Sequence, residues 1–158
     1  MDFKIEYNHI FVVSATAWLV AQIIKTIIHV IRYKTFDIER LVGAGGMPSS
    51  HSAFVCSAVI SVARIKGTTS CIEFAIMLII ALIVMYDAMG VRRAAGLHAR
   101  EINRMTKFIE DEFDEDDKFT PPQKQLKEFL GHTPVQVISG AILGIIIALI
   151  FPLVPMVN

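Results

Sequence analysis

The sequence predicts an all-α protein, a polytopic membrane helical bundle of about four transmembrane helices with a cytoplasmic helical connection. It reads as a single integral membrane domain over residues 1–158. Two observations lead there. Hydrophobic residues make up 54% of the chain and its mean hydropathy is +0.56, well above soluble globular proteins. The apolar residues also gather into four blocks, at about 10–31, 48–65, 72–89 and 135–157, parted by charged segments.

Residues 10–31 are long enough, at about 1.5 Å per residue, to cross a ~30 Å hydrocarbon core. No basic leader segment or small-residue cleavage site accompanies them, so the span is expected to be retained. Trp18 lies mid-span, and His9 reads as an interfacial residue just outside it. Lys25 and Arg32 are seven residues apart, nearly two turns, with His29 one turn from Lys25, so all three share a face. A lysine in an apolar span either faces a partner or wet cavity, or snorkels to the interface.

A polar connection leads to Gly43-Ala44-Gly45-Gly46-Met47-Pro48-Ser49-Ser50-His51-Ser52. The glycines permit φ > 0 and close backbone approach, and Ser49 or Ser50 can cap a helix running on through Ala53. A helix start offers N–H groups and a positive dipole end to an anion, and His51 stands in its first turn. The span 48–65 barely suffices to cross a membrane. The span 72–89 is apolar from Phe74 to Tyr86, with Asp87 at its end.

The polar connection 90–133 follows. Gly90 to Gly96 is basic, with Arg92 and Arg93, and Leu97 to Ile109 reads as a charged helix. Residues 110–117 hold seven acidic side chains in eight. Such a run is usually solvated or disordered, with a divalent-cation site as the alternative. In Gly131-His132-Thr133-Pro134, Thr133 suits an N-cap, Pro134 the first helical position, and Gln136 completes a capping-box pattern for the last span.

The basic residues fix an orientation. The first and third connections carry Arg32, Lys34, Arg40, Arg92, Arg93, Arg100, Arg104, Lys107, Lys118, Lys124 and Lys127, eleven in all, against Lys4, Arg64 and Lys66 on the other side. The positive-inside rule then puts both termini outside and both long connections in the cytoplasm. The glycine stretch, Arg92, Arg93 and His132 share that side. Net charge is zero, so no nucleic-acid partner is expected. Cys56 and Cys71 lack metal or redox spacing. Two histidines at helix starts beside Lys25, Arg32, Arg92 and Arg93 suit a phosphate site, the cations neutralising charge and the imidazoles serving as nucleophile and acid. Neither a metal nor a cofactor is called for.

Three motifs then resemble a known family. Pro48-Ser49-Ser50-His51 is similar to the Pro-Ser-Gly-His signature of the type 2 phosphatidic acid phosphatase and vanadium haloperoxidase superfamily. Lys25 and Arg32 match the spacing of its Lys-x6-Arg-Pro element. His132-Thr133-Pro134-Val135-Gln136-Val137, with Gly140 and Gly144, is similar to its third element. The wider pattern, with Tyr86-Asp87-Ala88 through Gly96, resembles the superfamily's divergent bacterial and plant branch over most of the chain. The resemblance implies that His132 is the nucleophile and His51 the general acid. Lys25, Arg32 and one of Arg92 and Arg93 would hold the phosphate oxygens, with Ser49 and the Ser50 backbone assisting.

The chain departs from the family pattern in four places. Tyr33 replaces the proline after Arg32, and Ser50 replaces the signature glycine. Leu126 stands where an arginine six residues before the histidine belongs, and Gln136 stands where an aspartate would orient and charge-stabilise the imidazole. Asp87 or Glu101 could supply that carboxylate, or Asp87 could simply pair with Arg92 or Arg93. Arg92-x5-His98 is a competing third element, without the proline-containing sequel.

The expected function is a membrane phosphatase acting on a lipid or isoprenoid phosphate through a phosphohistidine. The alternative is a non-catalytic membrane protein that keeps the phosphate or headgroup site. A small transporter, with Lys25 and Asp87 on an ion path, is a third class, disfavoured by the absence of broken-helix repeats. The expected partners are the membrane and that substrate, with a homo-oligomer left open. The expected location is the cell membrane, multi-pass, with the site on the cytoplasmic side.

Overall fold

The computed structural model describes residues 8–34, 46–112, 126 and 131–153, and their regular structure is entirely helical. The helices are α1 (His9–Tyr33), α2 (Ser50–Lys66), α3 (Ile72–Met89), α4 (Val91–Glu112) and α5 (Pro134–Ile150). Two stretches, His9–Arg32 and Ile72–Ile109, are long and apolar enough to cross a membrane, and Pro134–Ile150 is a shorter apolar helix. Gly43 to Gly45 and most of the acidic run lie outside the described residues.

The local chemistry explains the helix ends. The Asn8 side chain accepts the Phe11 N–H at the start of α1. Ser49 caps α2, its Oγ accepting the Ser52 N–H, and Gly67 ends that helix at φ +66. Helix α3 covers Ile72–Met89, the residues in which a third span is expected.

Two expected boundaries change. Within the expected last span, 135–157, the helix ends at Ile150, where Phe151 is extended at ψ 131, and residues 154–157 lie outside the described residues. The cause is Pro152, which lacks an N–H and drives the residue before it out of the α region. The charged helix of the polar connection starts at Val91, not Leu97, because Gly90 is the only break there and Ala94, Ala95 and Leu97 favour helix. Glu110 to Glu112, the head of the acidic run, belong to it.

The central helix is α2, which packs against α1, α3 and α5, while α5 also meets α1. On one side Ala53 packs with Val13, Ala17 and Ala21 of α1 and Ile147 and Ala148 of α5. On another, Val55, Cys56 and Val59 pack with Ala81 of α3. Small side chains dominate these seams, which lets helix backbones approach closely. The closest approach is between α2 and α5. A Cβ at Gly140 would overlap the Ser49 carbonyl oxygen, and one at Gly144 would overlap that of Ala53. Glycine four residues apart on one helix face therefore sets this crossing.

At one end of the bundle, Arg64 Nη1 donates to the Ala148 and Phe151 carbonyls, tying α2 to the C-terminus of α5. His9, expected at an interface, is buried there, its ring edge-on to Phe151 at 5.8 Å. The opposite end gathers the last turns of α1 and α3 and the first turns of α2, α4 and α5.

Candidate functional site

The site is built where α2 and α5 begin side by side. The Ser49 N–H donates to the Gln136 carbonyl at 3.0 Å, joining the cap of α2 to the first turn of α5. The His132 N–H donates to the Ala88 carbonyl at 3.0 Å, drawing in the end of α3. His132 is therefore tied by its backbone to the end of α3 and is buried.

Its ring is oriented by Gln136. Thr133 Oγ1 accepts the Gln136 N–H at 3.4 Å, and the Thr133 N–H donates to Gln136 Oε1 at 3.0 Å, closing a capping box. The second bond fixes which way the amide faces, because a backbone N–H can only donate. Gln136 Oε1 also lies 3.2 Å from His132 Nδ1. An acceptor oxygen there requires the proton on Nδ1, and the neutral ring then carries its lone pair on Nε2. One side chain thus serves as helix cap and ring orienter.

Lys25 supplies charge. It is buried, and its Nζ donates to Ser50 Oγ at 3.5 Å. A buried cation is costly unless its surroundings are polar or anionic. Its ammonium therefore faces the helix junction at Ser50. Its alkyl stem passes Gly46, whose φ is +82 and where a Cβ would lie 3.2 Å from Lys25 Cγ. The freedom expected of the glycine stretch is used at Gly46 to make room for lysine. Ser49 takes the cap, which leaves the Ser50 hydroxyl for Lys25. Ser52, which sequence reasoning passed over, donates its hydroxyl to Ser49 Oγ at 3.0 Å. Its spacing three residues after the cap was the available signal.

Five expected residues therefore converge: Lys25, Ser49, Ser50, His132 and Gln136. His51 follows Ser50 and is half-buried. With Phe11, Ala15, Trp18, Phe54, Val55 and Val84 it lines a largely apolar groove of about 450 Å³ between α1, α2 and α3. Asp87 precedes Ala88, the acceptor for His132, and is half-buried. Arg32 and Arg93 are at the same end but exposed, at the close of α1 and the first turn of α4. Of Arg92, only the backbone is described, in that same turn. His98 and Glu101 are exposed along α4, away from the backbone links that hold His132.

The profile of the Divergent PAP2 family matches residues 6–147. The chain belongs to that family. It is 40% identical over 146 residues to a Bacillus subtilis (strain 168) protein named uncharacterized membrane protein YuiD, an alignment covering 87% of this chain and 89% of the relative. No solved structure matches. With that relative and two candidate spans, this divergent PAP2 protein is a membrane protein.

Proposed function

We propose that this protein is an integral membrane phosphatase that hydrolyses a lipid or isoprenoid phosphate through a phosphohistidine on His132. The observation that carries the reading is the buried His132 ring, its Nδ1 held by Gln136 Oε1, at the helix junction that also holds Lys25 and Ser50. That geometry supports a lone pair on Nε2 ready for attack.

In the first step Nε2 forms a bond to phosphorus as the bond to the substrate's alkoxide breaks, and His51 gives the alkoxide its proton. In the second step water attacks phosphorus. His51 takes its proton, the N–P bond breaks and phosphate leaves. Lys25, Arg32 and an arginine from the first turn of α4 neutralise the phosphate oxygens, while Ser49 and Ser50 shape the cradle. The apolar groove running from His51 supports a substrate with a hydrocarbon part.

The membrane-spanning reading is a four-helix bundle of α1, α2, α3 and α5, with the site at the cytoplasmic surface. Most of the large side chains of α3 are exposed, among them Ile76, Ile79, Ile80, Leu82 and Ile83. So large an apolar surface is suited to lipid and not to water.

One observation favours a second reading, a non-catalytic phosphate or headgroup binder: Gln136 orients the imidazole but cannot offset the charge of a phosphorylated ring as a carboxylate would. Purified full-length protein in detergent, assayed on a panel of lipid phosphates beside His132→Ala, separates the two. Turnover lost in the variant supports the phosphatase. Phosphate and vanadate binding without turnover on any lipid supports the binder.

A further inference from the structure

We infer that α4 is an interfacial helix that docks on an anionic bilayer surface beside the site. Only Gly90 separates the end of α3 from the start of α4, so α4 leaves the membrane-spanning segment at the membrane surface. Among the described elements it packs only against α3. At about 100° per residue, Leu97, Phe108, Met105, Val91 and Ile102 fall on one broad, mainly apolar arc, which His98, Glu101 and Glu112 interrupt. All five are exposed, Phe108 at 68% and Met105 at 65%. Arg93, Arg100, Arg104 and Lys107, also exposed, fall within about 60° of one another along the edge of that arc. A helix with an apolar face bordered by cations is built to lie in the headgroup layer, its long basic side chains reaching the lipid phosphates.

The remaining face is already used. Gly96, Ala99, Asn103 and Thr106 on this face are less exposed, as is Ile109 on the apolar arc, and Asn103 brackets the Leu126 peptide, donating to its carbonyl at 2.8 Å and accepting its N–H at 2.9 Å. That clamp lies roughly opposite Met105 and Phe108, so the described return segment does not occupy the apolar arc. Charge decides between a bilayer and a second copy of the chain. The helix carries five Arg and Lys against Glu101, Glu110, Asp111 and Glu112, but three of those acids fill its last turn, so the part nearer α3 is basic and complements an anionic surface, whereas two-fold pairing would set the same cations against each other. Docking would hold Arg93 at the depth of the lipid phosphates. The inference rests on α3 spanning the membrane and not on catalysis.

The test uses full-length protein in vesicles of phosphatidylcholine alone or mixed with phosphatidylglycerol. In a Cys56→Ala, Cys71→Ser background, nitroxide labels are placed singly through Met105→Cys, Phe108→Cys, Arg100→Cys and, as a control in α3, Ile83→Cys. Labels at 105 and 108 should be open to oxygen and shielded from a water-soluble nickel chelate in the mixed vesicles, with the reverse at 100. Reversing Arg104 and Lys107 to Glu should reduce the docked population at least about fivefold per cation removed. Labels at 105 and 108 open to the chelate in both vesicles would overturn the inference. So would shielding from both reagents, with spin coupling marking a second copy and its lack marking cover by the chain itself. An Ile83 label closed to oxygen would overturn it together with the membrane-spanning reading, while an open Ile83 beside water-exposed α4 labels would overturn it alone.

Discussion

His132 Nδ1 sits 3.2 Å from Gln136 Oε1, and that same oxygen accepts the Thr133 N–H at 3.0 Å. The cap of α5 and the tautomer of the candidate nucleophile are therefore one structural fact. Gln136→Ala should lose both: about 1 kcal/mol of helix capping, read as a fall in Tm of about 2–4 °C, and most of the turnover. Gln136→Glu keeps the length needed for the box and adds the missing carboxylate charge. It should hold Tm and raise the amount of phosphoenzyme. A Gln136→Glu protein that folds but forms less phosphoenzyme would contradict the orienting role.

Lys25 offers a cleaner dissection of binding. Lys25→Met keeps the side-chain volume and removes a buried charge, a change that is often neutral or stabilising. Its Tm should match or exceed the parent's, while the stabilisation by phosphate and vanadate disappears. In the parent, vanadate should stabilise more than phosphate, because it can adopt the five-coordinate geometry of phosphoryl transfer. An unchanged vanadate shift in Lys25→Met would place the anion elsewhere.

Gly140 and Gly144 set the contact that brings Ser49 to Gln136. A Cβ at either position runs into backbone, which cannot swing aside as a side chain can. Gly140→Ala and Gly144→Ala should each cost about 1–3 kcal/mol by overpacking, measured by thermal unfolding in detergent. Gly140→Ala should also weaken vanadate binding, since Ser49 is the residue it displaces. Two variants as stable as the parent would show that the helices can part without loss.

Much of this was legible in the sequence because it is local. Apolar blocks, the Ser49 and Thr133 caps, and the third span all follow from spacing and end chemistry. Pro152 is legible too, and it accounts for the end of α5 at Ile150 inside the apolar stretch 135–157. The basic stretch before Leu97 was read as a connection because its charge obscured its helix-forming alanines. Other features depend on packing between helices and leave no periodic trace: the burial of Lys25 against Gly46, the Ser49–Gln136 bond and the groove beside His51. The motif residues named His132 and Lys25, but only the fold shows that Arg32 and Arg93 stand outside the buried cluster.

The two histidines should separate by leaving group. If His51 protonates the departing oxygen, His51→Ala should slow hydrolysis of an alkyl or lipid phosphate by about 10²–10⁴-fold. An aryl phosphate, whose phenolate leaves without protonation, should lose far less. Equal losses on both substrates would remove His51 from the general-acid role.

The most direct measurement of the central claim is acid quenching of full-length protein during turnover of a radiolabelled lipid phosphate, followed by analysis for acid-labile phosphohistidine. The parent and His98→Ala should both trap label on protein, and His132→Ala should trap none. Label that persists in His132→Ala and vanishes in His98→Ala would contradict the account and move the nucleophile to α4.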